Sequence, residues 1–108
     1  MQKIQTLADW NEVRKQSEEM PILLFKFSKT CLSSLSAVKE LRSLDSDIQV
    51  YVVVVQSARI VSNTIAQELG VKHESPQVIL MKGGRGVWQA THYKIKRGLV
   101  EEAIVTYL

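Results

Sequence analysis

The stretch "LFKFSKTCLSSLSAVKELRSL", residues 24–44, changes character in its middle. It begins inside an apolar, strand-like run, "ILLFKF" at residues 22–27, and then repeats apolar residues every three positions over residues 32–41, as a helix does. Between the two parts stand a short polar segment, residues 28–30, and the only cysteine of the chain, Cys31. The sequence therefore predicts that the one thiol lies where a strand gives way to a helix.

The rest of the chain predicts helices and strands in alternation. "TLAD" at residues 6–9 is typical of a capping box and starts a helix over 7–19, while "IQVYVVVV" at 48–55 lacks alternation and predicts a strand covered on both faces. Then follow a helix over 58–71, a strand over 76–82, a tight turn at 83–86, a returning strand over 87–93 and a closing helix in "RGLVEEAIVTYL". We predict one α/β domain over residues 1–108, of order α-β-α-β-α-β-β-α, with a central mixed four-stranded sheet and helices on both faces.

Length and composition favour a small soluble domain. The chain has 108 residues, of which 45% are hydrophobic and 23% charged. Its net charge of +3 is spread out, and the densest basic segment, "YKIKR" at 93–97, alternates with apolar residues, so we expect no nucleic-acid partner. No apolar stretch is long enough to cross a bilayer, and the start "MQKIQTLADW" does not resemble a secretory signal. We expect no membrane partner and a cytoplasmic location, where a single unpaired cysteine suits the reducing conditions.

The predicted position of Cys31 favours its thiolate form. The first turn of a helix presents unpaired N–H groups and the positive end of the helix dipole, and both stabilise an anion. Lys29 and Lys26 lie upstream, where either ammonium would add to the effect if it pointed at the sulfur. Ser34 lies one helical turn after Cys31, at the position of the second cysteine in a C-x-x-C motif. Because Ser34 has no thiol, "CLSS" cannot close an internal disulfide. Two simpler interpretations stay open: Cys31 is a buried, inert cysteine, and Ser34 is an ordinary solvated serine in the first turn of a helix.

A second segment, "HESPQVIL" at residues 73–80, is the other candidate part of a site. Pro76 stands at the first position of a predicted buried strand, where a proline is admissible, and the Ser75–Pro76 bond is a candidate cis peptide. His73 precedes it in the loop, where it is placed to orient a bound thiol. His73, His92 and Cys31 lack the short spacing of zinc ligands, so we expect no metal site.

The segments "FKFSKTCLSS", "GVKHESPQ" and "VWQATHYKI" together resemble the small monothiol bacilliredoxins of Gram-positive bacteria, a family of general stress proteins in the thioredoxin superfamily. The resemblance spans essentially the whole chain. By position it makes Cys31 the redox cysteine, Ser34 the counterpart of the second cysteine of dithiol relatives, and Pro76 the cis-proline. The departure is Leu32-Ser33, where the family usually has proline and an aliphatic residue.

The resemblance implies a thiol–disulfide oxidoreductase that reduces mixed disulfides between proteins and a low-molecular-weight thiol, bacillithiol, with no tightly bound cofactor. Its implied partners are S-thiolated client proteins and the small thiol, and we expect a monomer or weak dimer. The expected site residues are Cys31 as the catalytic thiol, Lys29 and Ser34 as supports of the thiolate, and Thr30, Leu32, Ser75 and Pro76 as substrate contacts.

Two other functions stay open at this point. The Leu32-Ser33 departure is compatible with an adaptor of the same fold whose cysteine no longer turns over, because a fold does not fix a function. A passive redox sensor, merely capped by small thiols under stress, is the other alternative. The sensor shares a reactive Cys31 with the reductase and differs in having no turnover, whereas the adaptor predicts an ordinary thiol.

Overall fold

A computed structural model describes the whole chain, residues 1–108, as alternating strands and helices. In chain order they are β1 (Gln2–Lys3), α1 (Leu7–Gln16), β2 (Ile22–Phe27), α2 (Leu32–Arg42), β3 (Gln49–Val54), α3 (Arg59–Leu69), β4 (Gln77–Lys82), β5 (Arg85–Thr91), a turn of 3-10 helix (His92–Lys94) and α4 (Arg97–Tyr107). Every helix and strand that the sequence predicts is present, in the predicted order.

The strands form one mixed sheet in the order β1-β3-β2-β4-β5. The pairs β1–β3 and β2–β3 are parallel, whereas β2–β4 and β4–β5 are antiparallel. The predicted number of four strands is wrong by one, because Gln2–Lys3 adds a fifth strand at the edge. Both of its residues are exposed, so this strand carries no apolar pattern that the sequence would reveal.

Helices cover the sheet on both faces, as predicted. Successive side chains of β2 point to opposite faces and so enter two different apolar layers. Ile22 and Leu24 pack in one apolar layer with residues of α1 and α3. Leu23 and Phe25 pack in the other layer with residues of α2 and α4. All four of these side chains are fully buried, which explains why the strand is an unbroken apolar run.

The first helix begins as predicted and ends earlier. Thr6 Oγ1 accepts from the Asp9 N–H at 3.0 Å, and the Asp9 carboxylate accepts from the Thr6 N–H at 3.1 Å, completing the capping box. The helix ends at Gln16 and not at residue 19, because Ser17 turns toward the β4–β5 hairpin. The Ser17 carbonyl oxygen accepts a hydrogen bond from the Gly83 N–H at 2.8 Å.

The β4–β5 hairpin is tighter than predicted. Gly83 and Gly84 both have positive φ, 64° and 74°, which suits a two-residue turn between antiparallel strands. The returning strand therefore starts at Arg85, inside the predicted turn, and ends at Thr91. The next residue, His92, has a φ of 52° and begins the 3-10 turn.

One charged side chain of β2, Lys26, lies wholly inside the fold. It is 0% exposed, and its Nζ donates to the Ser62 carbonyl oxygen at 3.0 Å and lies 3.1 Å from Nδ1 of His73. No carboxylate forms an ion pair with it. Burial lowers the pKa of Lys26 from 10.5 to about 8. The folded protein therefore holds this ammonium at a free-energy cost near neutral pH.

Replacing Lys26 with methionine should remove a specific pH dependence of stability. Because the pKa of Lys26 rises from about 8 to 10.5 on unfolding, the unfolded chain binds more protons between these values. Lys26 therefore becomes less destabilising as the pH rises through this window. We expect the free energy of unfolding of the unchanged protein, minus that of Lys26→Met, to rise by roughly 2 kcal/mol from pH 7 to pH 10.

Urea unfolding at several pH values between 7 and 10 measures this difference. Lys15→Met is the matched control, because Lys15 is exposed on α1 and undergoes the same change of side chain. Its difference from the unchanged protein should stay constant over the same range. A pH-independent difference for Lys26→Met would show that the ammonium is not held at a lowered pKa.

Candidate functional site at the start of the second helix

Cys31 lies at the predicted junction and is itself the N-cap residue of α2. Its backbone is extended, with φ −112° and ψ 123°, and its carbonyl accepts the Ser34 N–H at 3.0 Å. A side chain at this position points toward the N–H groups of the second and third helical residues. The sulfur of Cys31 is partly exposed, so it is both held by the helix start and open to a reactant.

Ser33 is the side chain closest to the sulfur. Its Oγ lies 2.8 Å from Sγ of Cys31 and is itself nearly buried. This hydroxyl is the largest cause that lowers the pKa of Cys31, and the backbone N–H groups of Ser33 and Ser34 lower it further, against an opposing effect of burial. The arrangement therefore favours a thiolate, as the helix-start argument predicts.

Ser34 has a different main contact from the one that its spacing suggests. It is fully buried, and its Oγ accepts the Ser28 N–H at 3.0 Å, so it fastens the segment that leads into Cys31. Its hydroxyl is the smallest of the groups that lower the pKa of Cys31. Ser33 was missed because helical spacing placed only Ser34 beside the sulfur; an N-cap assignment for Cys31 would have pointed to both residues.

Gln56 holds the segment before the cysteine from the side of β3. Its Oε1 accepts the Lys29 N–H at 3.2 Å, and its Nε2 donates to Ser28 Oγ at 2.8 Å. Lys29 and Thr30 are exposed, and Thr30 Oγ1 lies 3.5 Å from Ser28 Oγ. Neither Lys29 nor Lys26 is among the groups that lower the pKa of Cys31. Nothing in the sequence pattern identifies Gln56, which meets this segment only through the fold.

Ser75 and Pro76 stand beside the same end of β2. Gln77 pairs with Lys26 across the antiparallel β2–β4 ladder, so the residue before Gln77 falls next to the segment that leads to Cys31. The Ser75–Pro76 bond, a candidate cis peptide in the sequence, is cis, and Pro76 is buried just before the strand, which starts at Gln77.

Ser75 retains unused hydrogen-bonding capacity. Its Oγ is buried and has no partner, and its backbone N–H and C=O make no hydrogen bond within the chain. The carbonyl of Pro76, by contrast, accepts the His92 N–H at 3.0 Å. The polar groups of Ser75 are therefore unpaired within the chain, whereas the following residue is fixed to the hairpin.

The surface next to the cysteine is apolar. Leu32 and Leu35, on the first two turns of α2, are 77% and 59% exposed, so the first half of the apolar repeat lies on the surface. The second half, Val38 and Leu41, packs in the core together with Ala37. Tyr93, in the 3-10 turn that packs against α2, is also exposed. Exposed apolar side chains therefore lie on the α2 side of Cys31.

The two histidines occupy different parts of the site region. His73 lies in the loop between α3 and β4 and contacts Lys26, whereas His92 lies in the 3-10 turn. No three side chains of the types that bind metals come together anywhere in the structure. None of the helices has the length and apolar character that a bilayer crossing requires.

Solved structures with the same fold include a thioredoxin-fold oxidoreductase and several thioredoxins. A protein described as a proposed oxidoreductase with a thioredoxin fold has 28% sequence identity and a TM-score of 0.87, over 95% of this chain and 92% of its own. Thioredoxin from Fasciola hepatica, at 16% identity, gives a TM-score of 0.77 over 100% of both chains. Thioredoxin from Aeropyrum pernix, at 18% identity, gives 0.69 over 91% of this chain and 82% of its own.

The sequence profile of a family described as monothiol bacilliredoxin BrxC matches residues 2–99, which is most of the chain. The match includes Cys31, the Ser75–Pro76 segment and the hairpin that ends at His92. It agrees with a structure in which a single partly exposed cysteine stands at a helix start. The chain therefore belongs to the monothiol bacilliredoxin family and has the thioredoxin fold of thiol oxidoreductases.

Proposed function

We propose that this protein reduces mixed disulfides between client proteins and a low-molecular-weight thiol, with Cys31 as the only catalytic sulfur. The observation that carries the proposal is the contact of the Cys31 sulfur with Ser33 Oγ at 2.8 Å, together with the N–H groups of the same helix turn. These donors stabilise the thiolate, which is the nucleophile in thiol–disulfide exchange. The adaptor alternative predicts an ordinary thiol, which a lowered pKa does not favour.

The proposed reaction has two exchange steps. The Cys31 thiolate attacks the small-thiol sulfur of the mixed disulfide, so that a Cys31–small thiol disulfide forms and the client's disulfide breaks. The electron pair of the broken bond goes to the client sulfur, which leaves as a thiolate and takes a proton from water. A second small thiol or an external reductant then attacks the disulfide on Cys31 and restores its thiolate. Since the chain has only one cysteine, the second sulfur must come from outside.

The surrounding residues receive proposed roles from their positions. The backbone groups of Ser75 pair with the client or the small thiol in this proposal, which their lack of partners within the chain supports, and the buried ring of Pro76 lies next to them. Leu32 and Thr30 are exposed on either side of Cys31, where a client surface would contact them. The ammonium of Lys29 is exposed near the same turn and would attract an anionic thiol.

The proposal also covers the small thiol, the client proteins, the cellular location and the oligomeric state. Membership of the bacilliredoxin family favours bacillithiol over glutathione or coenzyme A. We propose S-thiolated proteins as clients, a cytoplasmic location and a monomer or weak dimer. The passive sensor shares the reactive cysteine, so turnover is the property that separates it from the reductase.

Replacing Cys31 with serine should abolish reduction of a client, because no other sulfur can accept the small thiol. A purified protein S-thiolated with bacillithiol is the substrate, and intact mass spectrometry follows both proteins. We expect the client to lose the small thiol and the unchanged protein to gain one on Cys31. Repeated release in the presence of free bacillithiol would demonstrate turnover.

Parallel clients carrying glutathione or coenzyme A measure the preference for the small thiol.

Ser36→Ala is a matched control on α2, because the Ser36 hydroxyl makes no hydrogen bond in the structure. It should reduce the client as the unchanged protein does. Client reduction by Cys31→Ser would eliminate the mechanism, and a single transfer without turnover would favour the sensor.

Replacing Ser33 with alanine should move the pH midpoint of Cys31 alkylation upward, toward the ordinary thiol value of about 8.5. The physical reason is the loss of the hydroxyl that contributes most to the lowered pKa. Rates of iodoacetamide reaction between pH 4 and pH 10 measure the midpoint, and Cys31 is the only thiol that reacts. Ser36→Ala should leave it unchanged. An unmoved midpoint in Ser33→Ala would mean that the backbone N–H groups suffice.

A further inference from the structure

A buried polar cluster lies behind the loop that carries Ser75. Lys26 Nζ donates to the Ser62 carbonyl at 3.0 Å and lies 3.1 Å from Nδ1 of His73, and Ser62 Oγ lies 3.3 Å from the same ring nitrogen. Lys26 belongs to β2, which leads to Cys31. His73 belongs to the loop that ends at the Ser75–Pro76 bond. The cluster therefore connects the two segments that form the candidate site.

The cluster is costly as a purely structural feature. Lys26 is 0% exposed, and its ammonium faces a carbonyl and a neutral ring with no carboxylate in contact. Burying a cation without an anionic partner is unfavourable, and an apolar side chain of similar length at such a position commonly stabilises a protein. A buried, perturbed ionisable group beside a reactive centre is typical of functional sites.

The contact fixes which nitrogen of His73 carries the proton. A protonated lysine has only donors, so Nδ1 of His73 must accept, and the neutral ring then carries its proton on Nε2. Burial, Lys26 and Arg59 all lower the pKa of His73, against Glu74, which raises it. The ring therefore stays neutral near pH 7. Its Nε2–H has no acceptor within the chain, and the ring is only half-buried.

We propose that Lys26 is a positioning residue for the exchange reaction: it holds His73 in the Nε2-protonated form, so that this N–H donates to the small thiol bound opposite Cys31. The inference rests on the proposed function and extends it to the recognition of the small thiol. The acceptor would be an oxygen of a carboxylate or hydroxyl group of that thiol. Lys26 acts through His73 and does not itself touch the reactants.

The same contact predicts a dependence on pH. Above about pH 8, Lys26 is neutral and gains a lone pair, so it can either donate to Nδ1 or accept from it. The proton of His73 is then no longer confined to Nε2. The charged groups that influence this ring are Lys26, Arg59 at the start of α3 and Glu74 in the loop, while the neighbouring strand β4 presents the neutral Gln77.

Nitrogen-15 NMR of the imidazole tests the tautomer directly and needs no enzymatic activity. The His92→Asn background leaves one histidine, and asparagine tolerates the positive φ of that position. At pH 7 we expect His73 in the Nε2-protonated form in this background and in Lys15→Met, and a mixture of both tautomers in Lys26→Met. An Nδ1-protonated ring in the background protein, or an unchanged tautomer in Lys26→Met, would overturn the inference.

Turnover with the S-thiolated client tests whether the tautomer matters. We expect Lys26→Met to lower kcat/KM about twofold at pH 7, because a mixture of tautomers leaves only part of the population with the proton on Nε2. Activity of the unchanged protein should fall as the pH rises through about 8, and Lys26→Met should lack this step. The alkylation midpoint of Cys31 should be the same in both, because Lys26 is not among the groups that shift it.

A double-mutant cycle with His73→Ala completes the test. If Lys26 acts through His73, adding Lys26→Met to His73→Ala should cause no further loss. An equal loss in both backgrounds, or full turnover by Lys26→Met, would overturn the positioning role. If the unchanged protein reduces no client at all, the proposed function fails, and the role of Lys26 in the exchange reaction fails with it. The NMR result on the tautomer of His73 is independent of that outcome.

Discussion

The sharp change of direction at residues 28–31 is the constraint on which the chemistry of this protein depends. The chain leaves a largely buried strand at Phe27 and enters a helix at Leu32, so that Cys31 becomes the capping residue. Hydrogen bonds from both sides hold this short connection: Ser34 Oγ accepts from Ser28, and Gln56 contacts Ser28 and Lys29. A looser connection would leave the sulfur without a fixed relation to the N–H groups that stabilise its anion.

The sheet supplies the rigidity behind this connection. Strand β2 lies in the middle, between β3 and β4, and its side chains fill both apolar layers. Its ends are therefore fixed by hydrogen bonds on both sides as well as by packing. Because β4 is antiparallel to β2, the start of β4 lies beside the end of β2. Pro76 therefore lies next to the segment that leads to Cys31, although 45 positions separate the two residues in the sequence.

Much of the fold and the position of the candidate site could be predicted from the sequence, because both depend on local patterns. The polar break before Cys31 and the serine-proline pair before β4 are both local signals, and the structure places them at neighbouring strand ends. Gln56 could not be predicted, since its two hydrogen bonds exist only once β3 lies next to β2. The spacing of Leu32 and Leu35 predicted the helix, but it could not show that these two side chains lie on the surface and not in the core.

The contact of Lys26 with His73 shows a second limit of local patterns. A lysine near the end of a strand is usually solvated, and only the tertiary fold reveals that this one is enclosed. Ser33 shows a third limit. The family resemblance identified Leu32-Ser33 as a departure from the usual residues, but it did not reveal what Ser33 contacts. In the folded chain that serine is the hydroxyl in contact with the sulfur.

Neither apolar layer includes any residue between 28 and 36. The reactive segment is thus fastened by hydrogen bonds at its edges and contributes little to the hydrophobic energy of the domain. Substitutions at Leu32 and Ser33 can therefore alter reactivity while consuming little of the narrow stability margin that limits sequence change in most proteins. The surroundings of the sulfur can thus vary among members of such a family on one unchanged scaffold.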